Sequence, residues 1–214
     1  RDLAIEYFLK AISLDPSFAL TDEFKTLIAK ERFGWQIYNR LGWAYYEQLD
    51  YTNAILMFKN SLREQPNKSE SRKGIGYVLN KTDKLPEAAK YLSQALALNN
   101  DPNPVIEMIS GNHTIAPYST ITTARTTLGN IFLKQGKPYE AIELFQEELK
   151  LRPNLAVAQN GLGWSYLKLN QFIQSRTAFK NAVKNQPLNY LTHKGLKVVK
   201  QKIANSKLKR TIQP

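Results

Sequence analysis

Seven residues are written in nearly the same form twice in this chain, as Asn39-Arg40-Leu41-Gly42-Trp43-Ala44-Tyr45 and as Asn160-Gly161-Leu162-Gly163-Trp164-Ser165-Tyr166. Each copy opens a stretch that stays in step for 34 residues. A fixed period of that size restricts the chain to a stack of like units, because one such unit cannot bury its apolar face alone.

Aligning on the proline that closes each unit gives a single register. Residues 35–68 place Tyr38, Leu41, Gly42, Tyr45, Ala54, Phe58, Ser61 and Pro66 at unit positions 4, 7, 8, 11, 20, 24, 27 and 32. Residues 156–189 place Gln159, Leu162, Gly163, Tyr166, Ser175, Phe179, Ala182 and Pro187 at the same positions. Residues 122–155 follow with Leu128, Gly129, Phe132, Ala141, Phe145, Glu148 and Pro153, and residues 69–102 more loosely with Ile75, Gly76, Leu79, Ala88, Leu92 and Ala95. Positions 4, 7, 8 and 11 share one helical stripe, as do 20, 24 and 27, so each unit is predicted to be two amphipathic helices with facing apolar sides. Turn signals such as Gln135-Gly136-Lys137-Pro138 fall between the paired helices, and Pro66, Pro153 and Pro187 stop the second helix.

This pattern resembles the tetratricopeptide repeat family, whose unit is a helix–turn–helix of 34 residues with small residues at positions 8, 20 and 27. The resemblance implies an all-α, right-handed superhelical solenoid whose first helices line a concave groove. It implies a non-catalytic protein-interaction module or scaffold that binds a protein or peptide segment in that groove. Positions 2, 5, 9 and 12 would point into it. On this reading the candidate partner-binding residues are Asn39, Trp43 and Tyr46, then Lys73, Tyr77 and Asn80, then Thr126 and Asn130, then Asn160 and Trp164. Asparagine can bond a peptide backbone while Trp and Tyr supply apolar contact. The competing reading packs Trp43 and Trp164 against the neighbouring unit and uses Asn39 and Asn160 to hold helix ends or loops. The family's carboxylate clamp is not expected: Lys73 fits it, but Tyr77, Thr127, Val157 and Gly161 do not.

Outside the four units the register predicts further segments. Residues 1–18 read as the second helix of a truncated repeat, and 19–34 as an added helix or helix extension. Residues 103–121 read as an insertion of a short helix and loop, 190–206 as a solvating capping helix, and 207–214 as a frayed basic tail. The half-repeat and the start at Arg1 rather than Met are read as a piece of a larger protein. Leu-Gly-Trp in the first helices is similar to bacterial members of the family, in which assembly or envelope roles are common, so cytoplasm and periplasm both stay open.

The net charge of +12 is unevenly placed. Residues 1–148 hold 17 Lys and Arg against all 18 Asp and Glu, whereas residues 149–214 hold 13 basic residues and no acidic one. Lys194, Lys197, Lys200 and Lys202 are the candidate basic patch. It gives a second reading, a basic adaptor for an acidic protein, with nucleic acid or an anionic membrane as lesser alternatives. A solvated capping face is the bland explanation of the same lysines. A third reading makes the segment a structural or oligomerisation arm of a larger enzyme.

Chemistry of other kinds is not expected. The chain has no cysteine, and its two histidines, His113 and His193, stand far apart without carboxylates at ligand spacing. Gly74-Ile75-Gly76 and Gly161-Leu162-Gly163 are helix-packing positions rather than a phosphate loop. Glu147 and Glu148 are read as a solvated helix face. No catalytic residue, metal, cofactor or small-molecule substrate is predicted. No apolar run approaches the roughly 20 residues that cross a bilayer, so the expectation is a soluble chain.

Overall fold

The computed structural model describes residues 34–98 and 123–206 in full and the backbone to residue 212, together with Lys10, Ala11, Thr21 and Thr26. Apart from those four residues and Gly34, the segments read at 1–18, 19–34 and 103–121 lie outside the described residues. So do the side chains of 207–214. Every regular element among the described residues is an α-helix. None of these helices is long and apolar enough to cross a membrane.

The chain divides into two compact units, Arg1–Thr114 and Ile115–Pro214. In the first, α1 (Trp35–Glu47) pairs with α2 (Tyr51–Glu64), and α3 (Ser69–Lys81) with α4 (Leu85–Leu98). Helix α3 also packs on α2 and reaches α1. In the second, α5 (Ala124–Lys134) pairs with α6 (Pro138–Leu151) and α7 (Ala156–Lys168) with α8 (Phe172–Asn185), and α9 (Tyr190–Ile212) closes on α8 and α7.

Each first helix ends in the same way. Leu49, Asp83, Gly136 and Asn170 all stand at unit position 15, and all take positive φ, between 57° and 77°. The next residue's N–H reaches back to position 11, as from Asp50 to the Tyr45 carbonyl at 2.9 Å and from Lys137 to Phe132 at 2.9 Å. That is the Schellman ending, which satisfies two carbonyls the helix would otherwise leave open. Only Gly136 enters the left-handed region without a steric cost.

One large ring organises each core. Phe58, Phe145 and Phe179 at position 24 are fully buried. Each is clasped by two glycines, one at position 8 of its own unit and one at position 6 of the following helix. The pairs are Gly42 and Gly74, Gly129 and Gly161, and Gly163 and Gly195. A Cβ added at any of these six would come within 2.3–2.8 Å of the ring. Position 8 thus sets the approach of helices within a repeat, and position 6 sets the approach between repeats. The second repeat substitutes Leu92, against which Gly76 stands.

Two expectations need correction. Glu148, read as solvated, is completely buried at position 27. It is ion-paired with Arg152 one turn on and with Arg125 Nη1 at 3.7 Å, while Glu147 Oε2 meets Arg125 Nε at 3.5 Å. A carboxylate can occupy a core position here because two guanidiniums offset its desolvation. The second correction is α9, whose backbone does not stop at residue 206 but stays helical to Ile212. It also enters in repeat register, with Gly195 against Phe179 and Val199 buried.

Candidate functional site

The first helices carry the candidate residues, and the two units present them differently. In the first unit Asn39 is only 8% exposed, and its Nδ2 donates to Ser71 Oγ across the repeat junction at 3.0 Å. Ser71 and Ser61 hydroxyls meet at 2.7 Å, and Ser61 Oγ donates to the Trp35 carbonyl at 2.9 Å. Because the Ser61 proton goes to that carbonyl, Ser71 must be the donor between the two serines. The chain of bonds therefore runs one way, from Asn39 to Trp35. Asn39 is a junction residue rather than a presented one.

Beside this junction lies a continuous group of rings. Trp43 stands edge-on to Phe58 at 5.2 Å and to Tyr46 at 5.5 Å, and tilted against Tyr77 at 6.0 Å. Tyr46 in turn meets Tyr51 at 5.8 Å. Trp43, Tyr46 and Asn80 are half-buried, while Tyr77 and Lys73 are buried at 6% and 8% exposure. Edge-to-face pairing orients the tryptophan through its contact with the core and leaves part of the indole on the surface. Trp43 therefore belongs to packing and to surface at once.

In the second unit the same positions are used otherwise. Thr126 is fully buried and forms a capping box: its N–H donates to Thr123 Oγ1 at 3.2 Å, and its own Oγ1 receives the Thr123 N–H at 2.8 Å. Its hydroxyl thus terminates α5 and does not serve the predicted surface role. Asn130 and Asn160 are half-buried, as is Trp164, which packs edge-on against Phe179 at 5.3 Å. Asn160 Oδ1 is buried with no hydrogen-bond partner among the described residues. The contrast with Asn39 follows from the next helix and from position 27, where Ala182 replaces Ser61.

The four candidate lysines of α9 are all exposed. At about 100° per residue they do not form one stripe but spread around the exposed half of the helix. Lys194 falls on the same side as Leu191, Val198 and Gln201, at unit positions 5, 2, 9 and 12, whereas Lys200 falls on the opposite flank. The lysine content of α9 points to charge and not to Leu191, Val198 and Gln201. Gly195 at position 6, matching Gly74 and Gly161, is the signal that would have found them. Among the described residues, no group of three or more His, Asp or Glu is placed to hold a metal.

Models of the tetratricopeptide repeat match residues 1–18, 24–103 and 125–157. No curated protein matches the chain in sequence. Among solved structures it is similar to YrrB, a repeat protein of this kind described as having an unusual peptide-binding site. The TM-score is 0.60 at 22% identity over 92% of this chain and 83% of that one. It is similar to MamA from Desulfovibrio magneticus RS-1, with a TM-score of 0.60 at 17% identity over 84% of this chain and 97% of that one. It is also similar to the first such domain of Spaghetti bound to the HSP90 peptide SRMEEVD. There the TM-score is 0.53 at 16% identity over 64% of this chain and 94% of that one. At these identities the likeness is one of fold.

Proposed function

Because this chain belongs to the tetratricopeptide repeat family, we propose that it is a non-catalytic protein-interaction module that holds an extended segment of a partner protein along its first-helix faces. The observation that carries the reading is the half-buried ring group of Trp43, Tyr46 and Tyr51 in the first unit, set against the buried Tyr77. Rigid aromatic surface of this kind offers large contact area at little entropic cost, and such residues dominate measured interfaces. Two of the similar structures, YrrB and the Spaghetti domain, are described with a peptide-binding site or a bound peptide, which supports the same reading.

The test starts from peptides selected by display against the whole chain. Tyr46→Ala removes exposed ring surface, while Trp43→Leu keeps bulk beside Phe58 and removes the indole. Each is expected to weaken a selected peptide by about tenfold or more, the range of interface hot spots. Unchanged affinity in both variants, with helical circular dichroism intact, would exclude this face.

A further inference from the structure

We infer that the α7 and α9 faces of the second unit form a binding surface for an acidic, apolar-spaced segment of a partner protein. This deepens the interaction reading above and rests on it. Helix α9 continues the repeat register, because Gly195 clasps Phe179 as Gly161 clasps Phe145. The same register brings Leu191, Lys194, Val198 and Gln201 to the positions that Val157, Asn160, Trp164 and Leu167 hold on α7. All eight are half-buried or exposed, and Leu191 is 56% exposed. The surface therefore has an apolar floor, an amide and a cation.

Charge selects the occupant. Residues 115–214 carry 16 Lys and Arg against four Asp and Glu, and all four acids lie on α6, a second helix. Two of those, Glu147 and Glu148, are engaged by Arg125 and Arg152. Helices α5, α7 and α9 carry no carboxylate, so nothing on this face repels an acidic segment and Lys194 stands ready to pair with it. The floor of Trp164, Leu167, Leu191 and Val198 calls for apolar side chains between the acids.

The test titrates labelled synthetic peptides of one length that alternate leucine with glutamate, glutamine or lysine against the whole chain. The glutamate peptide is expected to bind about tenfold or more tightly than the glutamine peptide, with the lysine peptide weakest. Lys194→Glu is expected to cost about tenfold, and Lys200→Glu, on the opposite flank, less than about twofold. Loss with Lys200→Glu equal to that with Lys194→Glu would mean diffuse charge and overturn the site. So would a single-stranded oligonucleotide or an anionic vesicle that displaces the glutamate peptide at lower concentration than unlabelled peptide does. If the glutamine and glutamate peptides bind alike, the acidic specificity fails while the interaction reading stands. If no peptide binds and the Tyr46 and Trp43 variants both leave selected peptides unaffected, the interaction reading itself fails.

Discussion

The two units solve one structural problem with opposite chemistry. At the junction between repeats, behind position 27, the first unit strings neutral groups from Asn39 through Ser71 and Ser61 to the Trp35 carbonyl. The second buries Glu148 at that position between Arg125 and Arg152. The first is a directional chain of moderate bonds, whereas the second is a charge held in a dry place by two others. A repeat scaffold thus specifies how closely helices approach, through the Phe and Gly clasp. It leaves open what fills the polar gap beside the clasp.

The sharpest way to break this comparison is to remove the central group on each side. Glu148→Ala strands the nearly buried Arg152 and is expected to cost about 3–5 kcal/mol. Ser61→Ala breaks the neutral chain and is expected to cost about 1–2 kcal/mol. Unfolding of a repeat chain need not be all-or-none, so hydrogen exchange resolved along the sequence is the measurement of choice. Loss of protection in α5–α7 for the first variant and in α1–α3 for the second is the expected pattern. Equal costs would mean that the ion cluster is solvated in a way its burial contradicts.

The clasp, by contrast, should respond alike in both units. Gly74→Ala and Gly161→Ala each push a methyl to within 2.4 Å of Phe58 or 2.3 Å of Phe145. Either is expected to cost about 1–3 kcal/mol by overpacking, read as a shift in denaturation midpoint. A large difference between them would show that one junction can open, and would identify the softer unit.

Residues whose role is set by period were legible in the sequence. Phe58, Phe145 and Phe179, the glycines at position 8 and Pro66, Pro153 and Pro187 could be placed because helical spacing alone decides them. Asn39 and Asn160 show where that reasoning stops, since both occupy position 5. One is consumed by Ser71, 32 residues away, and the other is not. That outcome depends on two further sites, positions 3 and 27, which sequence pattern treats as independent. Thr126 was lost to a local competitor, the capping box with Thr123. Glu148 could have been caught: an acid at a small-residue position, in register, with Arg152 four residues on, signals a buried pair rather than a solvated face.

Turn position 15 gives a comparison at constant backbone. Leu49 takes φ 64° with 70% of its surface exposed, so its side chain contributes little packing and pays the left-handed cost. Leu49→Gly is expected to stabilise the first unit by about 1 kcal/mol. Gly136 takes φ 77°, with nothing within 4 Å of an added Cβ. Gly136→Ala is therefore expected to destabilise the second unit by about 1 kcal/mol, from backbone strain alone. Thermal melts of the two variants should move in opposite directions; movement in the same direction would mean that side-chain contacts, not φ, govern this turn.

The smallest effect concerns position 13, which is Lys81, Lys134 and Lys168 in three repeats but Glu47 in the first. Lysine suits the C-terminal end of a first helix, and an anion does not. Desolvation by burial holds the Glu47 carboxyl above its ordinary value near 4.5. A raised carboxyl means that the folded state binds the proton more tightly than the unfolded state. The penalty is therefore absent below the unfolded value and develops as pH rises through the folded one. Glu47→Gln should raise stability at neutral pH, and the gain should vanish by about pH 4. The side chain is well exposed, so screening keeps the gain below about 0.5 kcal/mol. Glu47→Lys should add the favourable end charge and keep a small advantage at every pH. A Gln variant whose melting temperature tracked the parent's from neutral pH down to acid would show that Glu47 is as fully hydrated in the fold as in the unfolded chain.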